Sequence, residues 1–261
     1  MKKLSILLCL FLFGFLAYQA YAMPPGILGA LESTYVASSP PVSYCSGSEL
    51  FCEDFEGEDT SWDDVNGTED CDGYDANGDY CDDDTTFSPG DRAEVLGFQG
   101  RNTYYVGEAF SSADQDEFYV EGWVYFNDAK EGGQVLRILA SNSTEQIRLE
   151  LTNPNKYWRI ETKDTATGID SSTAPSDDTW YHYGIYYKEE TGSDDGIIRM
   201  WVNTSTTAGD FDAGDNIINE DAVDTGTADA DEICIAGEAE DEIIYHDNVK
   251  VVAGSPGWAY E

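Results

Sequence analysis

The residues best equipped for chemistry crowd into "EDCDGYDANGDYCDDD", Glu69 to Asp84, where eight carboxylates surround Cys71 and Cys81. Calcium takes roughly six to eight oxygens, and its loops draw them from closely spaced acids with a glycine at the sharp turn. With Gly78 as that glycine, Asp75 and Asn77 fall on the third and fifth ligand positions of an EF-hand register. Asp79 falls on the seventh and Asp84 on the twelfth. The first position is then Gly73, which has no side-chain oxygen, so the stretch is not an EF-hand. Calcium at Asp75, Asn77, Asp79 and Asp84 is nevertheless expected, because so many like charges on a short loop repel one another unless a cation or water screens them. A solvated acidic loop is the alternative. A redox role is not expected, since nothing near these cysteines favours the thiolate.

Elsewhere the reactive residues are sparse. There are two histidines. His182 sits between Tyr181 and Tyr183, and His246 precedes Asp247; both read as packed, hydrogen-bonded strand residues. No phosphate-cradling glycine loop, zinc-spaced Cys/His set or nucleophile elbow is present. Seventeen Tyr and six Trp are better suited to binding, because sugars stack their apolar faces on exposed rings. In "TWYHYGIYYKE", Tyr181, Tyr183, Ile185 and Tyr187 share one face and Trp180, His182, Gly184 and Tyr186 the other. One set must enter the core; the other could line a concave surface or lie under a loop. Three Asn-x-Ser/Thr sequons stand at Asn66, Asn142 and Asn203.

The elements that must carry these groups read as strands. "EFYVEGWVYF" alternates with Phe118, Val120, Gly122, Val124 and Phe126 on one side and Tyr119, Glu121, Trp123 and Tyr125 on the other. "QIRLEL", "YWRIET", "GIIRMWVN", "EICIAG" and "EIIYHDNVKVV" follow the same rule, and no window forms an amphipathic helix. Short strands at this spacing predict an all-β, antiparallel sandwich or jelly roll in one domain.

The flanks set the compartment. "MKKLSILLCLFLFGFLAYQAYA" has a basic start, an apolar run and a small-x-small site, which predicts a signal peptide over residues 1–22. The run is too short to favour spanning a bilayer, so no membrane insertion of the mature chain is expected. Residues 23–48, with "MPPG" and "SSPP", read as a linker or arm, and 49–261 as the folded domain containing the acidic loop 66–90. In an oxidising compartment the five remaining cysteines predict two disulfides and a buried thiol. Cys71–Cys81 is the favoured pair and Cys45–Cys52 the second.

The whole chain carries a formal net charge of −39. Removing the signal leaves 11 Lys and Arg against 52 Asp and Glu, a balance of −41. Such a field repels nucleic acid and anionic membranes, and it disfavours polyanionic glycans unless cations bridge them. Bound calcium or a salty habitat would relieve the self-repulsion; acidity for solubility alone is the alternative.

In order, "LFCEDFEGED..SW", "TWYHYGIYYKEETGSDDGIIRMWVN" and "DEICIAGEAEDEIIYHDNVKVV" resemble the concanavalin A-like lectin/glucanase superfamily, in its LamG-like jelly-roll form, from about Glu49 to Val252. The resemblance implies that the strand near Phe51–Phe55 lies beside the closing strand Tyr245–Val251. It also implies a structural calcium held by Asp54, by Gly97 or Gly100, and by Asp247. The Glu-x-Asp-x-Glu strand of the family's glucanases is absent, and "EAEDE", Glu238 to Glu242, has Glu240 where the aspartate belongs. Arg92 and Glu94 faintly resemble the Arg-x-Glu strand of jelly-roll polysaccharide lyases, but Gln134 lacks the companion His two residues on. The acidic loop is itself similar to thrombospondin type 3 calcium repeats over about fifteen residues. Together these readings predict a secreted or cell-surface carbohydrate-binding or adhesive module, calcium-stabilised, with a polysaccharide or surface glycan as partner. A diverged lyase or hydrolase, and a purely structural surface protein, are the alternatives.

Overall fold

The computed structural model describes residues 45, 47–53, 64–66, 96–112, 115–126, 128–129, 133–140, 144–162, 168–211 and 215–255, with backbone alone at 64–66, 96–106 and 236–243. They belong to one compact unit, Ser43–Glu261. No helix among them is long and apolar enough to cross a membrane.

Strand follows strand: β1 (Phe51–Glu53), β2 (Asp64–Asn66), β3 (Leu96–Ala109), β4 (Glu117–Phe126), β5 (Gln134–Leu139) and β6 (Glu145–Leu151). Then come β7 (Trp158–Thr162), β8 (Ile169–Asp170), β9 (Thr179–Lys188), β10 (Gly196–Asn203), β11 (Asn216–Val223) and β12 (Glu232–Ala253). Every pairing is antiparallel.

β12 explains how one hydrogen-bonded path makes two layers. At 22 residues it extends about 70 Å if straight, which is far longer than one sheet of a sandwich needs. Its first part, Glu232–Ile235, pairs with β5, and its last part, Ile244–Ala253, pairs with β4. Register shifts against β3 lie between them, at Gly237/Ala239 and Ala239/Ile243. Such irregularities bend a strand and let it pass from one sheet to the next. Sheet I runs β11-β10-β9-β4 to the end of β12, with β1 and the start of β3 beyond it. Sheet II runs β8-β7-β6-β5 to the start of β12, then the end of β3 and β2.

The core between the sheets is what the alternation dictates. Phe118, Val120, Val124 and Phe126 of β4, with Tyr183, Ile185 and Tyr187 of β9, face Leu136, Ile138, Ile147, Leu149, Leu151, Trp158 and Ile160 of β5–β7. Phe118 stacks on Tyr187 at 5.0 Å, and Phe126 meets Trp158 edge-on at 5.6 Å. Burying rings of this size dominates the apolar driving force. The implied pairing of the opening and closing strands is present: Phe51 pairs with Val251 and Glu53 with Val249. A disulfide joins Cys45 to Cys52 and ties the approach segment to β1. Cys234 is a buried thiol on β12, directed at Glu232 Oε1 at 3.5 Å.

Candidate functional site: a polar face on sheet II

The outward face of sheet I carries aromatic residues of the kind that stack on sugars, and most of them are covered, with Tyr119 and Trp180 left partly exposed. Tyr183, Ile185 and Tyr187 point into the core, leaving His182, Gly184 and Tyr186 outside. The segment Asn203–Phe211 folds back over them. Phe211 packs on Tyr186 at 6.3 Å and on Trp201 at 5.9 Å. Trp201 meets His182 edge-on at 4.8 Å, and His182 lies flat on Trp123 at 4.5 Å. Gly184 below and Gly209 above make room for the Trp201 indole, since a Cβ at either would run into its ring. His182 Nε2 is 2.9 Å from Glu121 Oε1 and its Nδ1 is 3.3 Å from the Ser205 carbonyl. Lys250 Nζ lies 3.0 Å from the other Glu121 oxygen. Burial pushes the Glu121 carboxyl up, but the hydrogen bond from His182 and the Lys250 charge outweigh it and hold the group below its ordinary value. Trp123, His182, Tyr186, Trp201 and Phe211 are at most 7% exposed. This region is a second small core.

Sheet II presents the opposite surface. Ile147, Leu149 and Leu151 enter the core, so strict alternation turns Arg148 and Glu150 outward on β6, and Arg159 and Glu161 do the same on β7. The register places Arg148 opposite Glu161 and Glu150 opposite Arg159, with Asp170 of β8 next to Arg159 and Arg137 of β5 next to Arg148. The result is a checkerboard of charge. Arg148 donates to Glu161, and its Nε and Nη1 lie 3.1 Å from Glu150 and 3.5 Å from Glu145. Arg159 holds Asp170 through Nε at 2.5 Å and Nη2 at 3.1 Å, and its Nη1 is 3.7 Å from Glu150 and 3.6 Å from Glu161. Arg137 lies 4.0 Å from Glu145. All of these side chains keep part of their surface in water.

The electrostatics of this face are graded. Partial burial, then the neighbouring Glu161 charge, push the Glu150 carboxyl up despite both arginines. Burial likewise raises Glu145 against the pull of Arg148 and Arg137. Chemically, the face offers guanidinium donors and carboxylate acceptors in alternation, side by side on neighbouring strands.

An acidic triad occupies one end of the sandwich. Oxygens of Glu190, Asp194 and Asp224 lie within 4.8 Å of one another, an arrangement that a divalent cation such as calcium could occupy. Beside it, burial and the adjacent Asp229, to which it is hydrogen-bonded, push Glu189 up to about 7, with Asp116 and Glu190 adding to the effect.

The sequence-predicted residues are distributed unevenly. Asp247 is fully buried on β12, in a stretch with Asn248 at a φ of 53° and a register shift against β4. Gly97 lies opposite Tyr245, two residues from Asp247, whereas Gly100 lies opposite Ala239 in the other half of the strand. Gln134 opens β5 beside Glu150. Asp54, Asp75, Asn77, Asp79, Asp84, Cys71, Cys81, Arg92 and Glu94 lie outside the described residues. Sequence reasoning missed both the checkerboard and the Glu190 triad. The checkerboard had a signal, opposite charges at alternate positions in "QIRLEL" and "WRIET". The triad had none, because Asp224 is far from Glu190 and Asp194 in the chain.

No family model matches the chain, and no curated protein matches it. Solved structures do. A cellulose-induced protein, Cip1, superposes with a TM-score of 0.55 at 14% identity, covering 80% of this chain and all of that one. The globular domain of T. cruzi calreticulin gives 0.52 at 10% identity over 79% of this chain and 89% of that one. The alginate lyase Aly36B, solved as a mutant with an alginate trisaccharide, gives 0.50 at 15% identity over 79% and 99%. The chain has the concanavalin A-like lectin/glucanase fold. Within this concanavalin A-like sandwich, the long β12 joins the layers and sheet II bears the partly hydrated polar face.

Proposed function

We propose that the chain is an exported carbohydrate-binding module that lays a glycan across the outward face of β5–β8. The observation that carries this reading is the contrast between the two outer faces. On sheet I, Tyr186, Trp201 and Phe211 are spent on one another under Asn203–Phe211, and Trp180 packs on Tyr125 and Tyr245. On sheet II, Arg148, Glu150, Arg159 and Glu161 present paired donors and acceptors while remaining partly hydrated. Sugar hydroxyls both donate and accept, so an alternating array suits them without a change in protonation. The alginate lyase Aly36B, solved with an alginate trisaccharide, lends support as a protein of the same fold that holds an oligosaccharide. The Cys45–Cys52 disulfide is in keeping with an oxidising, extracytoplasmic location.

Calcium belongs to the same reading as a structural ion. Glu190, Asp194 and Asp224 are one candidate set, Asp247 with Asp54 and the Gly97 carbonyl is another, and the acidic loop at Asp75, Asn77, Asp79 and Asp84 a third. The second functional reading is a hydrolase or lyase of this fold with a diverged site, in keeping with the alginate lyase that shares the fold.

A pull-down of the mature protein on insoluble and gel-embedded polysaccharides, with a reducing-end assay on the same samples, tests the proposal. Retardation that is lost in an Arg148→Gln/Glu161→Gln variant supports binding at this face. New reducing ends or unsaturated products would move the assignment to the enzymatic reading. No retardation by any polysaccharide would sink the glycan reading.

A further inference from the structure

The guanidinium groups of sheet II decide which kind of glycan this face can accept, and this step rests on the binding reading above. Three arginines, Arg137, Arg148 and Arg159, face four acids, Glu145, Glu150, Glu161 and Asp170, so the patch carries a formal charge of −1. It sits in a chain of net charge −39. Arg148 is shared among three carboxylates and Arg159 among three, with both ends of the Asp170 carboxylate taken by Arg159. An arriving carboxylate or sulfate would have to displace one of these partners and would leave an acid partly buried without its cation. It would do so against the field of the whole chain, which lowers the local concentration of anions.

A hydroxyl faces no such conflict. It can accept from a guanidinium N–H and donate to an occupied carboxylate, because each carboxylate oxygen has more than one lone pair. The spacing also fits. Neighbouring strands lie about 4.8 Å apart, close to the advance of one pyranose in an extended chain. A glycan running across β5, β6, β7 and β8 would therefore meet a fresh polar side chain at about every sugar: Arg137 or Gln134, then Arg148 or Glu150, then Glu161 or Arg159, then Asp170.

We infer that the ligand of this face is a neutral, hydroxyl-only polysaccharide in extended form, bound across the strands by hydrogen bonds rather than by charge. The test is isothermal titration of the mature protein in chelator at about 50 and 500 mM sodium chloride, a range over which exposed charge–charge attraction is largely screened. The probes are neutral hexaoses of cellulose, mannan and galactan, and, against them, alginate and polygalacturonate oligomers and a sulfated galactan oligomer. A neutral hexaose should bind with an affinity that salt leaves within about twofold. Arg148→Gln/Glu161→Gln, which removes one cation and one anion together, should weaken it about tenfold or more, as expected for losing a hydrogen bond to a charged group. Asp170→Asn on the rim serves as the second variant, and thermal unfolding of both confirms the fold. If a uronate or sulfated oligomer binds without divalent cations, weakens with salt and is lost in the same variants, the neutral class is overturned while glycan binding at this face stands. If no probe binds, or if binding ignores both variants, the inference and the reading beneath it fall together.

Discussion

Tyr183 offers the sharpest test of the core, because its phenolic oxygen is fully enclosed and has no hydrogen-bond partner among the described residues. Burial alone pushes its ionisation far above the ordinary tyrosine range. The hydroxyl points at Gly122 on the paired strand and lies beside Val249. A buried, unsatisfied hydroxyl costs about 1–3 kcal/mol relative to an apolar atom in its place. Tyr183→Phe deletes that oxygen and leaves the ring where it is, so the substitution should stabilise the protein by about 1 kcal/mol once the small void is counted. For a domain of this size that is a rise in melting temperature of about 2–4 °C. The sign is the test, since most core substitutions destabilise. Gly122→Ala extends the reasoning. A Cβ there would lie 2.7 Å from the Tyr183 oxygen, 3.0 Å from Cζ and 3.1 Å from Val249 Cγ2. Overpacking of this kind costs about 1–3 kcal/mol. In the Tyr183→Phe background the nearest obstruction is gone, so the cost of Gly122→Ala should fall by about 1 kcal/mol in a double-mutant cycle. Urea unfolding at fixed calcium and salt measures all four corners. A destabilised Tyr183→Phe, or additive substitutions, would show that the hydroxyl has a polar partner and that the reasoning is wrong.

The second core around Trp201 depends on its glycine floor, so Gly184→Ala should cost about 2–3 kcal/mol by forcing the indole against Phe211, read as a lower urea midpoint. Glu189 sets a pH dependence. Its folded value of about 7 lies above the ordinary carboxyl value of about 4.3, so the folded state keeps a proton that the unfolded state releases. Stability from this group is therefore full below about pH 4 and lost as pH rises toward 7, with no further change above it. Glu189→Gln should flatten that part of the melting-temperature profile and raise stability at pH 8; an unchanged slope would refute it. Millimolar calcium should raise the melting temperature in a way sodium chloride does not reproduce. If Glu190, Asp194 and Asp224 hold that ion, Asp224→Asn should shrink the rise; an equal rise in the variant would point to another calcium set.

Much of the fold was legible because period-two alternation survives wherever one side of a strand is wet. β6 and β7 show it plainly: Ile147, Leu149, Leu151, Trp158 and Ile160 turn inward, and the intervening Arg and Glu turn outward. The pairing of the opening and closing strands was also readable, through the resemblance, and β1 meets β12 as that order implies. The passage of β12 between layers was not. "EICIAGEAEDEIIYHDNVKVV" reads as two strands separated by a charged turn, whereas hydrogen bonding to β3 continues through it with shifted register.

β9 shows why the site was harder to find than the fold. Both of its faces are apolar or aromatic, so alternation identifies two buried sides without saying which is the main core. The answer depends on Asn203–Phe211, whose Gly209 and Phe211 close over Trp201 from outside the strand. That contact comes from the loop that follows β10 rather than from a strand, so it leaves no periodic trace. An abundance of tyrosine and tryptophan therefore points toward sugar stacking in the composition, while among the described residues most of these rings pack on one another. The proposed site is the polar face, whose alternating charges look in sequence like an ordinary solvated strand surface. Its specific content lies in register: Arg148 meets Glu161 and Glu150 meets Arg159 only because β6 and β7 pair as they do. A slip of one residue in either strand would turn its Arg and Glu inward, so the apolar residues that fix the core also fix the donor–acceptor order of this face.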